Sequence, residues 1–214
     1  MGPRGALIVL EGLDHCGKTT QAKMITSALM SRGRKVVQEP WRFPDRQTPI
    51  GKMISAYLTN ATAMDDQALH LLFSANRWEK ASTMRHLLEN GTTVVVDRYA
   101  FSGVAYTAAK GYDVDWCKQC DRGLPAPDAV LFLEVPYAIA STRGTFGQEK
   151  YENERMQHRV HEMFQKVDGS DRWHYVDGVG TKEEVHKKCM EVVESTVSKV
   201  EAGVGLKQLW DEFY

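Results

Sequence analysis

The chain has 214 residues, 43% of them hydrophobic, and 27 Lys and Arg against 28 Asp and Glu leave a formal net charge of −1. That length fits one domain, or one domain carrying a small lid, and the apolar fraction supports a sizeable core rather than a disordered chain. The charge balance gives no footprint for nucleic acid, and no apolar run approaches the ~20 residues a membrane helix needs, so neither partner is expected.

The first apolar run, Ala6–Glu11, reads as a buried strand. It is too short for a signal peptide, and Ala6 stands where a myristoylation signal has Ser or Thr. The expectation is an intracellular, cytoplasmic protein. Directly after the strand, Gly12-Leu13-Asp14-His15-Cys16-Gly17-Lys18-Thr19 fits G-x-x-x-x-G-K-[ST] and opens a helix from about Lys18 to Ser31. Glycines let the backbone turn its N–H groups toward phosphate oxygens, and the helix N-terminus adds its positive dipole end. The backbone from His15 through Cys16, Gly17 and Thr20 is the expected nucleotide cradle. Lys18 is expected on the β- and γ-phosphates of ATP and the Thr19 hydroxyl on Mg²⁺. Cys16 has two readings: a thiol activated by the helix N-terminus, or an inert small residue whose backbone does the binding.

A second strand is expected at Lys35–Glu39, followed by Phe43-Pro44-Asp45-Arg46, where Pro44 stiffens the loop and Arg46 is placed for an acceptor phosphate. Met64–Asn90 reads as a long helix stopped by Gly91. Within it Phe73 and Arg77 share one face. They are either an aromatic and a guanidinium that recognise a planar base, or a core residue beside a surface one. The strand Thr92–Asp97 leads into Asp97-Arg98-Tyr99. A carboxylate at the C-terminal end of a strand beside the phosphate loop can act on Mg²⁺, and Arg98 would face the transferring group. In Ser102–Tyr106, Gly103 permits close approach of a ligand and Tyr106 could pack beside a sugar.

Cys117-x-x-Cys120 has the spacing of half a zinc site, but no second pair of Cys or His follows at a fitting interval. Two free thiols one turn apart are the better reading. Ala129–Glu134 and Trp173–Asp177 read as the last strands, and Thr181–Ala202 as a helix whose Val185, Cys189, Val193 and Val197 form a packing stripe. Residues 140–159 break this rhythm with Gly144, Gly147, Arg143, Lys150, Arg155 and Arg159. A Gly-hinged basic segment over a phosphate site is expected to be a lid. Alternating strands and helices imply an α/β fold with a parallel sheet. A GTPase would need N-K-x-D, which is absent, and motor ATPases are usually larger. A small-molecule kinase remains, with a nucleotide-binding switch or scaffold as its rival.

The stretches RGALIVLEGLDHCGKTTQ, RFPDR, HLLFSANRWE, VVVDRYAFSGVAYTAAKG, GLPAPD, RGTFGQEKYEN and GLKQLW span nearly the whole chain. In this order they resemble thymidylate kinase of the eukaryotic type. The resemblance implies a single domain over 1–214 with the P-loop nucleoside monophosphate kinase fold: a five-stranded parallel sheet, helices on both faces and a small lid. It implies the reaction ATP + dTMP → ADP + dTDP with Mg²⁺, and a homodimer. By position, Asp14 would hold the dTMP 3′-hydroxyl, and Arg46 and Arg98 its phosphate. Phe73 would stack on thymine and Arg77 bond to it, with Phe43, Gly103 and Tyr106 lining the pocket. Tyr151 and Gln157 would close from the lid, Arg143 would lie near ATP, and Asp177–Gly180 near adenine. The implied catalytic set is Asp14, Lys18, Asp97, Arg98 and Arg143. The family pattern often has Arg where this chain has His15, so Arg143, Lys150 or Arg155 would supply that charge.

Overall fold

The computed structural model describes residues 2–143, 147, 149–167 and 171–211. Its strands are β1 (Leu7–Glu11), β2 (Trp41–Arg42), β3 (Val94–Asp97), β4 (Ala129–Glu134) and β5 (Trp173–Asp177). They form one sheet in the order β2-β3-β1-β4-β5, with every pairing parallel. Its helices are α1 (Lys18–Ser31), α2 (Pro49–Leu58), α3 (Asp66–Glu89), α4 (Ala100–Ala108), α5 (Val114–Gln119), α6 (Tyr137–Ala140), α7 (Glu154–Val167) and α8 (Lys182–Glu201).

The central strands are continuous in Val, Ile and Leu because both faces are covered. Successive side chains alternate between faces. Leu7, Val9, Val94, Val96, Val130 and Phe132 enter one core layer, with Met84 of α3, Val104 of α4 and Phe164 of α7. Ile8, Leu10, Val95, Leu131 and Leu133 enter the other, with Ile25 of α1 and Val193 of α8. The fold class expected from the sequence is the one observed. Leu10 lies opposite Asp97 and Glu11 opposite Phe132, so the C-terminal ends of β1, β3 and β4 line up at one edge of the sheet.

The second strand corrects the expectation of Lys35–Glu39. Only an isolated bridge, Val36 to Thr93, forms there, and the regular pairing is Trp41 with Val96 and Arg42 with Asp97. Five positions on this chain therefore face three on β3. Pro40, which lacks an N–H, falls inside the surplus, so the backbone bows out before rejoining the sheet edge. The long helix starts at Asp66 because the Asp65 side chain accepts from Gln67 N–H and caps it. The Thr181–Glu184 capping box likewise starts α8. In the expected lid, α6 ends at Ala140 and α7 starts at Glu154. Gly147 has φ 96°, while Gly144 lies outside the described residues. Among the described residues, no helix is long and apolar enough to cross a membrane.

Candidate functional site

A cavity of about 730 Å³ opens over the C-terminal ends of β1 and β3, between the phosphate loop, α3, α4 and the residues Arg143, Glu149, Tyr151 and Glu152. Asp14, His15, Cys16, Gly17, Lys18, Thr19, Thr20, Phe43, Arg46, Phe73, Arg77, Asp97, Arg98, Gly103, Tyr106, Arg143 and Tyr151 line it. Gln157 reaches it through Asp14.

The loop after β1 needs its glycines. Gly12 has φ 136°, and a Cβ there would lie 2.7 Å from the Leu133 carbonyl oxygen. Gly17 caps α1 with φ 102°, a conformation L side chains rarely adopt. His15 takes φ 57°, and its Nε2 lies 2.9 Å from Glu152 Oε1. Cys16 is 2% exposed within the core layer of α1 and α8, and its Sγ lies 3.3 Å from Lys18 Nζ.

Lys18 Nζ donates to the Leu13 and Gly12 carbonyls at 2.5 and 3.2 Å, which places the ammonium inside the curve of the loop. Thr19 Oγ1 donates to Asp97 Oδ2 at 2.5 Å. Asp97 Oδ1 is buried and has no hydrogen-bond partner. An orphaned carboxylate oxygen beside a hydroxyl suits a hard cation held mainly by phosphate oxygens and water. Among the described residues no cluster of three or more His, Cys, Asp or Glu forms an all-protein cage.

Arg98 sits at φ 66° and turns its guanidinium back over the loop. It donates to Asp14 Oδ1 at 2.5 Å, Ser102 Oγ at 3.1 Å and the Gly12 carbonyl at 3.3 Å. Burial works against its charge, but Tyr106, Asp14, Asp97 and Glu11 outweigh burial and raise its pKa, so it stays cationic. Asp14 Oδ2 accepts from Tyr106 Oη at 2.8 Å and Gln157 Nε2 at 2.6 Å. Burial alone would push this carboxyl up; Arg98 and Lys18, with those two hydrogen bonds, hold it below the usual range.

Glu11 is a residue the sequence reading missed. It is fully buried and accepts from Tyr99 N, Ser102 N and Ser102 Oγ, clamping the start of α4 and with it the turn that aims Arg98. Burial raises its pKa. Its only signal was a carboxylate ending an otherwise apolar strand.

The Phe73/Arg77 face resolves in an unexpected way: Phe73 is half-buried, and Arg77 is the buried member at 2%. Arg77 Nε and Nη2 bond both oxygens of Asp121 at 2.9 and 2.5 Å, and Ser74 Oγ supports Asp121 at 2.9 Å. Gly103 serves this packing as well as the cavity, because a Cβ there would lie 2.7 Å from Arg77 Nη2. Asp121 was missed; its partner is 44 residues away.

Of the three cations considered in place of an arginine at His15, Arg143 lies on the loop, donating to the Cys16 and Gly178 carbonyls at 3.4 Å each. Lys150 Nζ instead sits 3.8 Å over the Tyr57 ring, and Arg155 is exposed outside the cavity lining. Arg46 pairs with Glu149 at 2.6 Å. Gly178 and Gly180 line the cavity, whereas Asp177 faces Lys188.

A sequence model of the thymidylate kinase family matches residues 10–189. The chain is 49% identical over 208 residues to a thymidylate kinase of Arabidopsis thaliana, covering 97% of this chain and 78% of that protein. It is 46% identical over 210 residues to that of Homo sapiens, covering 97% and 98%. The structure superposes on thymidylate kinase from Candida albicans with a TM-score of 0.86 at 35% identity, covering 98% of this chain and 100% of that one.

Proposed function

The chain belongs to the thymidylate kinase family and catalyses the ATP-dependent phosphorylation of dTMP to dTDP in dTTP synthesis, and on that premise we propose how its own residues divide the reaction. Lys18 and the backbone of residues 15–20 hold the β- and γ-phosphates, with Gly178 and Gly180 beside adenine. Arg46 and Arg98 hold the dTMP phosphate, whose oxygen attacks the γ-phosphorus. Asp14 takes the 3′-hydroxyl. Phe43, Phe73, Arg77, Gly103 and Tyr106 surround sugar and base. Arg143 approaches ATP from residues 140–159, which act as the lid, and Tyr151 and Gln157 complete the wall that excludes water. Thr19 and Asp97 would hold Mg²⁺, which when bound neutralises phosphate charge.

The observation that carries this reading is the convergence of Lys18, Arg98 and Asp14 at one strand edge, with an unpartnered Asp97 oxygen beside them. Transfer of a phosphoryl group asks for positioning and positive charge rather than covalent chemistry, and those residues supply both. The enzyme works as a homodimer in the cytoplasm. Met53 of α2, Leu71 and Trp78 of α3 and Trp116 of α5 are 37–52% exposed and suit an interface between copies. Four free cysteines suit a reducing compartment.

The test is ADP release with Mg·ATP and dTMP, dUMP, dCMP, UMP or thymidine, against a no-acceptor control. Strong turnover on dTMP, weaker on dUMP and little on the rest is expected. Asp97→Asn should lower turnover by about 100-fold and weaken the Mg²⁺ dependence. Parental rates in that variant would remove Asp97 from the metal role, and a different preferred acceptor would overturn the base-pocket assignments.

A further inference from the structure

Lys110, just past the end of α4, has no role in the division of the reaction given above, yet it lines the cavity beside Leu58, Thr107 and Tyr151. Its side chain is 14% exposed. Nζ donates to Asp66 Oδ1 at 2.5 Å and to Tyr151 Oη at 2.7 Å. It also lies 4.8 Å from the centre of the Tyr151 ring and 5.7 Å from that of Tyr57. Tyr57 Oη in turn donates to Asp66 Oδ1 at 3.4 Å. Asp66 opens α3 and Tyr57 lies in the last turn of α2, so this ammonium ties Tyr151 to two helices on the acceptor side.

Tyr151 connects onward. Its ring lies 5.6 Å from that of Tyr106, and its backbone carbonyl accepts from Gln157 Nε2 at 3.0 Å. Gln157 reaches Asp14 twice, accepting from its N–H and donating to its carboxylate. A continuous polar path therefore runs from Lys110 through Tyr151 and Gln157 to the phosphate loop. Burial and the neighbouring Tyr57 hydroxyl push the Tyr151 phenol well above its ordinary pKa, so it remains a neutral hydroxyl that accepts from the ammonium.

We propose that Lys110 is a positioning residue for phosphoryl transfer: through Tyr151 it seats the start of α7, and with it Gln157, against the phosphate loop. The inference deepens the proposed function and rests on its placing of Tyr151 and Gln157 at the nucleotide. Lys110 touches neither reacting phosphate; its effect is on how well the wall beside Asp14 excludes water while the phosphoryl group moves. Without it Tyr151 loses a charged donor, and some γ-phosphoryl groups pass to water instead of dTMP.

The experiment compares the full-length parent with Lys110→Met, Lys110→Arg, Tyr151→Phe and the Lys110→Met/Tyr151→Phe pair. The readouts are kcat, KM for ATP and dTMP, and ADP formed per dTDP. Lys110→Met should lower kcat about tenfold, leave KM for ATP within about twofold, and raise the ADP to dTDP ratio above one. Tyr151→Phe should do the same, the pair should be no worse than either alone, and Lys110→Arg should recover most of the loss. A raised KM for dTMP at unchanged kcat would make Lys110 a direct ligand and overturn the proposal. So would losses that multiply in the pair, or a Lys110→Met effect confined to melting temperature. If Lys110→Met fails to fold by circular dichroism, Tyr151→Phe decides, and parental kcat and coupling in it refute the idea. Absence of dTMP-dependent ADP release in the parent would instead refute the underlying function.

Discussion

Arg98 and Arg77 show two uses of a buried guanidinium. Arg98 shares its charge between the Asp14 carboxylate and neutral oxygens, which leaves it aimed at the cavity. Arg77 is held by both oxygens of Asp121, so its fork is oriented before any base arrives. Gly103→Ala brings a methyl to 2.7 Å from Arg77 Nη2. The Asp121 pair resists displacement, so the expected outcome is a KM for dTMP raised about tenfold and stability lowered by about 1–3 kcal/mol. Steady-state kinetics and urea unfolding check both; an unchanged KM would show that Arg77 does not read the base. Arg143→Ala separates a different role. Its guanidinium lies on backbone carbonyls of the loop, and among the described residues it has no carboxylate partner. Its loss should lower kcat about 100-fold while KM for dTMP moves less than about threefold. Unaltered kcat would remove Arg143 from the catalytic set.

Between elements, the acceptor side is assembled by polar contacts that cross helices. His70 of α3 is 1% exposed; its ring bonds Thr107 of α4 and the Cys117 carbonyl of α5, each at 2.9 Å. Cys120 Sγ lies 3.2 Å away and the Trp116 ring 5.3 Å. Burial, and then the Arg77 charge, lower the His70 pKa from its ordinary 6.5, against the opposing Cys117 carbonyl and Asp121. The unfolded chain takes up a proton as pH falls through 6.5 and the folded chain resists it, so His70 costs stability as pH falls through and below that value. Urea midpoints measured from pH 8 to about pH 5 should fall for the parent, with a shallower slope in His70→Gln; equal slopes would exclude His70 as the cause. At the same scale lie the clearest differences from the sequence reading. The edge strand moved from Lys35–Glu39 to Trp41–Arg42 because pairing is decided by which residues meet β3, and β propensity alone does not register the slack at Pro40. The lid segment read as a Gly-hinged basic stretch; its last part is the first turns of α7, whose buried Gln157, Val160 and Phe164 pack inward.

For the molecule as a whole, the unspent apolar surface is the informative feature. Leu71 and Trp78 are seven residues apart on α3 and so share a face, at 52% and 38% exposure. A stable dimer buries on the order of 800 Å² per partner, and depends on such central anchors. For the proposed homodimer, sedimentation should give about twice the 24.2 kDa chain mass, and Leu71→Asp combined with Trp78→Glu should give one. A double variant that still sediments as a dimer would place the interface elsewhere.

By itself the amino-acid sequence determined what contiguous residues encode. The strand, glycine turn and helix of residues 6–31 lie within one short window, and backbone conformation and phosphate chemistry are set by neighbours along the chain. The buried parallel strands β1, β3 and β4 and the half-exposed edge strand β5 were legible for the same reason, and so was the kinship carried by unbroken stretches such as VVVDRYAFSGVAY. Only the tertiary structure decided which side chains meet. Asp14 finds Gln157 across 143 residues, Arg77 finds Asp121 across 44, and Lys110 finds Tyr151 across 41. Such pairings depend on how helices cross and what they bury, and burial then sets which charges persist; neither quantity exists until the sheet has brought its C-terminal strand edges together.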